Sequence, residues 1–391
     1  MSDSSPVILG WARSAVASHG GAFKALHAHE IAAPVVQALL VRVGLAPDSV
    51  DAVVAGNALG AGGNPARLVA LAAGLPEHCA AYTIDTQCCA GLDAVAMAAG
   101  LLCSGSASVV IAGGVEAWSR APIRQHRPLR SGEPGVPYDR PAFAPDPQRD
   151  PDMLLAAATY AAQRGVTRLD QDRYAMFSHE RARVRQDDLS GEIVRVLDVH
   201  ADTCLRLTTA ARVARMPAAA WAPAGAREGQ DTQAFALSPL SISPKADGAA
   251  FVVMATRQAC ERLGLHARMA WLGGASVGVA PEVPMLAAID ASRAILKRCQ
   301  TSMAQIAAIE LHDAFAVQAL SFCDAFGLDW QRLNRRGGGL ARGHPIGASG
   351  AIALVRVLED LARDEEPGAL GLAAVAGAGG IGSAAIVQRL D

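Results

Sequence analysis

Apolar and polar positions recur along the chain as a helical stretch of roughly 12 to 18 residues, a short polar link, and a compact run rich in Val, Ile and Ala. EIAAPVVQALLVRVG leads through LAPDSV into DAVVAGN, and MLAAIDASRAILKRCQ leads through TSMAQ into IAAIELHD. Alternation of this kind predicts an α/β fold. The two passages align at one offset, which sets Val50 over Ile306, Val53 over Ile309 and Asn57 over Asp313. A second echo pairs ASVVIAGGVEA with GLAAVAGAGGIGSA, each a short apolar run ending in Gly-Gly. The chain therefore reads as two related α/β halves.

Between the halves the pattern breaks. SRAPIRQHRPLRSGEPGVPYDRPAFAPDPQRDPDM is rich in proline and arginine and reads as an inserted loop region rather than sheet. A second irregular part, MPAAAWAPAGAREGQDTQAFALSPLSISPKADG, returns to the core. The expected organisation is a first half from residues 1–118 plus about 241–263, an insertion over 119–240, and a second half over 264–391. The arginines of the insertion read as solvated surface or as an edge that meets an anionic cofactor.

Two uncharged windows, Ala94 to Val115 and Pro367 to Gln388, have the length of membrane helices. CSGSAS interrupts the first and AGAGGIGS the second, so a buried helix leading to a buried strand, and a buried strand entering a glycine loop, explain them better. With 51% hydrophobic and 18% charged residues over 391 positions, the composition is that of a globular protein and excludes a disordered or fibrous one. The net charge of -2 provides no general attraction to nucleic acid or anionic lipid. The eight cysteines form no CxxC pair and no dense framework, and MSDSSPVILG lacks the basic and apolar parts of a signal peptide. The expectation is a cytoplasmic protein with no nucleic-acid or membrane partner and no metal-ligand set.

In DTQCCAGL two cysteines open a helix predicted over about Ala90 to Leu102. The first turn of a helix offers unpaired N–H groups and a positive dipole end, which lower a thiol's pKa and can stabilise an oxyanion. On position alone, the reading of Cys88 and Cys89 as small buried apolar residues stands beside this one. GGGLARGHPIGASG places His344 in a glycine-rich turn before a helix, where it can activate a thiolate or polarise a thioester carbonyl. ELHDAFAVQ places His312 at the end of a buried strand, where α/β active sites collect.

With these residues in view, the chain resembles the thiolases, the acetyl-CoA acetyltransferase family of acyl-CoA condensing enzymes, over essentially its whole length. ARSAVASHGGAFK, GGNPARLVALAAGLP and AGGVEAWSRAP are similar to successive family landmarks. The resemblance implies a five-layered αβαβα core with an inserted loop domain, an acyl-enzyme intermediate, acyl-CoA as substrate with no tightly bound cofactor, and a homodimer or homotetramer. DTQCCAGL resembles the nucleophile motif in a register that selects Cys88 and leaves Cys89 at its variable position. GGGLARGHPIGASG resembles the family's most specific signature and implies a catalytic His344, while LHDAFAVQ implies that His312 joins it in holding an oxyanion-stabilising water. The resemblance further implies CoA contacts at Ser243 in LSISPKADGAA, at Met153, Arg120, Arg124 and Phe315, and an oxyanion loop containing Gly379 and Gly380.

The chain also departs from that pattern. Asp85 and Ala90 replace a usual asparagine and serine around the nucleophile, and polar residues that usually follow Met153 are missing. Ala376 and Ala314 occupy the two positions where family members carry a second, acid/base cysteine. Three functions stay open: a C-acyltransferase that makes or cleaves a 3-oxoacyl-CoA, a decarboxylating ketosynthase-like enzyme using a Cys-His-His set, and a non-catalytic acyl-CoA-binding subunit.

Overall fold

The computed structural model describes residues 5–189, 191–229 and 231–391. Nine main strands run in chain order as β1 (Pro6–Ser14), β2 (Ala52–Gly56), β3 (Ala80–Ile84), β4 (Val109–Ala117), β5 (Ala246–Thr256), β6 (Met269–Gly278), β7 (Ile306–His312), β8 (Leu370–Gly377) and β9 (Ile381–Arg389). They lie side by side as β7-β8-β9-β6-β1-β5-β4-β2-β3. The path has internal symmetry. β2 runs parallel to β4, β4 antiparallel to β5 and β5 antiparallel to β1. In the second half β7 runs parallel to β8, β8 antiparallel to β9 and β9 antiparallel to β6. The echoes in the sequence are thus pairs of equivalent strands, β2 with β7 and β4 with β8. The halves meet where β1 and β6 pair through Val7 with Ala270 and Ile8 with Met269.

Eight helices matter for the site: α1 (Ala28–Val43), α2 (Pro65–Ala72), α3 (Ala90–Cys103), α4 (Met153–Arg164), α5 (Arg168–Val184), α6 (Ala287–Arg298), α7 (Ala316–Phe326) and α8 (Ser349–Asp364). Between the two sheet halves, Leu92, Val95 and Leu102 of α3 and Ile352 and Leu354 of α8 pack against Val54, Val110 and Val252 on one side. They pack against Ala373, Val375 and Val387 on the other. Val35 and Leu39 of α1 and Val69 of α2 cover the outer face of the first half, on Val53, Ile111 and Phe251. Ile295 of α6 and Phe322 of α7 cover the outer face of the second, on Ile309, Leu372 and Ile386. This is the five-layered αβαβα arrangement. It also accounts for the uncharged windows, because α3 and β4, then β8 and β9, are enclosed on both sides. No helix among the described residues is long and apolar enough to cross a membrane.

The insertion contains α4 and α5 and, in the proline-rich part, a two-residue ladder between Gln125–His126 and Val136–Pro137 and a 3-10 turn at Pro147–Arg149. It is not wholly separate from the sheet, since Ile193 and Val194 run parallel to β1 beside Arg13 and Ser14. Glu192, fully buried at that contact, receives Arg13 at 2.5 Å and is also paired with Arg356 of α8, which in turn reaches Asp360 at 2.8 Å. Buried charges persist only when paired. This network therefore ties the insertion to the helix that follows the His344 turn.

Candidate active site

Gln87–Cys89 form a single 3-10 turn, and α3 begins at Ala90. Gln87 takes a left-handed φ of 53° within this turn, and its N–H donates to Asp85 Oδ1 at 3.0 Å. The two cysteines diverge from here. Cys89 is fully buried, with its thiol directed at the carbonyls of Val375 and Ile381 at 3.7 and 3.8 Å. Cys88 is half-buried, and its Sγ lies 3.1 Å from His344 Nε2.

The orientation of His344 can be read from its other nitrogen. Nδ1 is 2.7 Å from Ser349 Oγ, and that hydroxyl donates its single proton to the carbonyl of Pro345 at 2.9 Å. Ser349 can then only accept, so Nδ1 carries the imidazole proton and Nε2 is free to take one from the Cys88 thiol. Burial pushes His344 down to about 4, so the ring is neutral at physiological pH.

Burial likewise pushes the Cys88 thiol up to about 12, against a lowering by the Ala378 N–H on its sulfur, with Glu116 and Asp85 raising it further. This corrects the expectation of a helix-lowered thiol pKa: the cysteine stands in the turn before the helix, and desolvation outweighs the N–H contact. The resting pair is thiol and neutral imidazole, and the charge separates only when a substrate is attacked. Alkylation of Cys88 by iodoacetamide, followed by peptide mass, should therefore climb about tenfold per pH unit between roughly pH 7 and 9. A plateau below pH 8 would indicate a preformed thiolate.

His312, at the end of β7, stacks on His344 with ring centroids 4.3 Å apart and planes 27° from parallel. Burial, then the neighbouring His344 and Arg342, hold it well below the usual histidine range, so it too is neutral. Its buried Nε2 has no partner among the described residues. An unpaired buried polar atom is costly, and a substrate oxygen or a water would satisfy it.

The other expected residues are placed less uniformly. Ser243 is buried, its hydroxyl donating to the Gly339 carbonyl at 2.6 Å and its N–H to the Ala314 carbonyl at 2.9 Å. Met153, at the start of α4, and Phe315 share one apolar cluster with Ala314. Arg124 reaches the Ala58 carbonyl at 3.4 Å. Arg120 lines a cavity of about 310 Å³ with His27, His29 and Glu116. Gly379 and Gly380, with φ of 82° and 78°, make the turn between β8 and β9. The N–H that reaches the Cys88 sulfur comes from neither glycine but from Ala378, just before them. Ala376 stands at the end of β8, paired with Gly382, and carries no titratable group.

Sequence reasoning missed three contributors: Ala378, Ser349 and Glu116. Glu116, fully buried at the end of β4, accepts from Asn57 Nδ2 at 2.9 Å and from the N–H groups of Ala58 and Gly347 at 3.0 Å each. Burial pushes it up to about 7, and the N–H donors oppose that rise. It thereby fastens the turn after His344 to the loop after β2. The GGVEA segment was legible as an echo of a strand ending and as a family landmark, but the role of Glu116 was not, because its partners are distant in sequence.

A thiol facing a neutral imidazole, with a backbone N–H on its sulfur and a second histidine stacked on the first, is an arrangement for acyl transfer through sulfur. Comparison with known proteins agrees. The model of the thiolase N-terminal domain matches residues 6–258 and that of the thiolase C-terminal domain residues 265–389, so the chain belongs to the thiolase family of acyl-CoA C-acyltransferases. It is 34% identical over 408 aligned positions to an acetyl-CoA acetyltransferase of Rhizobium meliloti, with 100% of each chain covered. The crystal structure of the Bacillus anthracis acetyl-CoA acetyltransferase superposes with a TM-score of 0.88 at 29% identity, covering 99% of both chains. The Acat5 thiolase of Ascaris suum, solved in complex with coenzyme A, superposes with a TM-score of 0.87 at 27% identity, covering 99% of this chain and 100% of the other.

Proposed function

We propose that this chain forms an acyl-enzyme on Cys88 and uses it to make or cleave a 3-oxoacyl-CoA. The observation that carries the reading is the 3.1 Å approach of His344 Nε2 to Cys88 Sγ, in the tautomer that lets the nitrogen accept. In acylation the Cys88 sulfur bonds to the thioester carbon and its proton passes to His344 Nε2. The carbon–sulfur bond to CoA then breaks, and the departing CoA thiolate takes that proton. His312 Nε2 and the Ala378 N–H are suited to the oxygen that becomes negative in between. CoA would lie along the insertion, with Ser243, Met153 and Phe315 near its pantetheine arm and Arg120 and Arg124 toward its phosphates.

A second reading is favoured by Ala376 and Ala314. With no thiol at either position, a donor that loses CO₂ avoids the proton abstraction an ordinary condensation needs, and Cys88, His344 and His312 suffice for it. A reducing cytosol suits the nucleophilic thiol, and a homodimer or homotetramer completes the reading. The test is incubation with a panel of acyl-CoAs, read by intact mass for an adduct and by product analysis for new carbon–carbon bonds. The expected result is a Cys88 adduct from several donors. Absence of any adduct would leave an acyl-CoA-binding subunit, and strict malonyl dependence of product would favour the decarboxylating reading.

A further inference from the structure

Beside the catalytic pair lies a cation that the acyl-transfer steps do not use. Lys245 is exposed, and its ammonium sits 5.2 Å from the centre of the Trp118 ring. That indole meets His344 edge-on, with ring centroids 6.3 Å apart. The ammonium is therefore no farther from the catalytic imidazole than these two separations combined. Among the described residues no carboxylate lies within ion-pair distance of Lys245.

Both residues are anchored by the site itself. The Lys245 backbone bridges that of His344, the carbonyl of Pro244 accepting the His344 N–H at 2.8 Å. On its other side the Lys245 carbonyl accepts the His19 N–H at 3.0 Å. Trp118 opens the turn that follows β4, where the N–H and hydroxyl of Ser119 both donate to Asp247, at 2.8 and 2.6 Å. Asp247 is thus occupied by Ser119 and leaves the lysine charge uncompensated. An isolated lysine over an indole is commonly a surface contact worth little. Here the indole abuts the imidazole that faces the nucleophile, so only one ring separates the ammonium from the reacting pair.

We infer that Lys245, steadied by Trp118, forms an acyl-end subsite for a carboxylate, and that this chain takes acyl-CoA substrates whose acyl chain ends in a carboxyl group a few methylenes from the thioester. The inference rests on the proposed acyl-transfer reading and adds a substrate class to it. A carboxylate at this place gains a charge-assisted hydrogen bond from an ammonium that no carboxylate among the described residues already pairs.

The test compares glutaryl-CoA with valeryl-CoA, whose acyl chains are equal in length and differ in the terminal carboxylate. Affinities are measured by calorimetry on the Cys88→Ala form, which cannot turn them over, with Lys245 intact and with Lys245→Met or Lys245→Arg. With Lys245 intact, glutaryl-CoA should bind about tenfold more tightly than valeryl-CoA; Lys245→Met should erase that preference and Lys245→Arg keep it. No preference with Lys245 intact overturns the inference, and that measurement needs no lysine variant. A preference that survives Lys245→Met also overturns it, as does an equal loss for both ligands, which would place Lys245 on the part common to all CoA esters. Should Cys88 in the unaltered protein accept no acyl group, the acyl-transfer reading falls, while the affinity ratio still reports on the subsite.

Discussion

Replacing Cys88 by alanine should abolish the acyl-enzyme and lower any acyl-transfer rate by at least about 10⁴, as loss of a nucleophile does when it acts as a unit with its base. Cys89→Ala should leave the adduct in place, because that thiol is fully buried and directed at the Val375 and Ile381 carbonyls. His344→Ala should approach the Cys88 effect, since among the described residues no other side-chain nitrogen lies within hydrogen-bond distance of the sulfur. Intact mass after incubation with an acyl-CoA reads the adduct directly. Labelling that disappears with Cys89→Ala and persists with Cys88→Ala would reverse the assignment of the two cysteines.

The second large effect concerns the missing base. Condensing two acetyl-CoA molecules requires a proton to leave the acetyl α-carbon, and a positioned base typically contributes about 10² to 10⁴ to such a step. Ala376 stands at the end of β8, two residues before the Ala378 whose N–H meets the Cys88 sulfur. Condensation of two acetyl-CoA molecules should accordingly be slower than acylation of Cys88, and Ala376→Cys should raise it by up to about that factor. Malonyl-CoA avoids the proton transfer by losing CO₂ and should be the better donor to the unaltered chain, with His312 Nε2 available to the enolate oxygen. Side-by-side rates with acetyl and malonyl donors, in both forms, measure this. Rapid acetyl–acetyl condensation by the unaltered chain would mean that another group does the work, and His312 would be the first to replace.

Much of this was legible in the sequence, for identifiable reasons. Helix and strand periods are local, so the alternation of elements and the pairing of EIAAPVVQALLVRVG with MLAAIDASRAILKRCQ could be read directly. The pairing then appeared as equivalent strands β2 and β7. Cys88, His312 and His344 were found because each sits in a short contiguous motif. The absence of a second cysteine was visible for the same reason. The insertion was harder to read, since proline and glycine announce a break in pattern without saying where the chain goes next.

The amino-acid sequence by itself determined the fold class, the doubling of the chain, the three catalytic candidates and the vacancy at Ala376, all of which depend on residue types at short spacing. Only the tertiary structure decided the chemical state of the site. Which cysteine is reachable depends on β8 and β9 closing over Cys89, and the accepting nitrogen of His344 depends on where Ser349 sends its proton. The raised thiol pKa depends on desolvation that no motif records. Glu116 joins Asn57 to Gly347, and Lys245 reaches His344 through Trp118. These are contacts between residues far apart in the chain, and their energies depend on distance and burial, which exist only once the chain has folded.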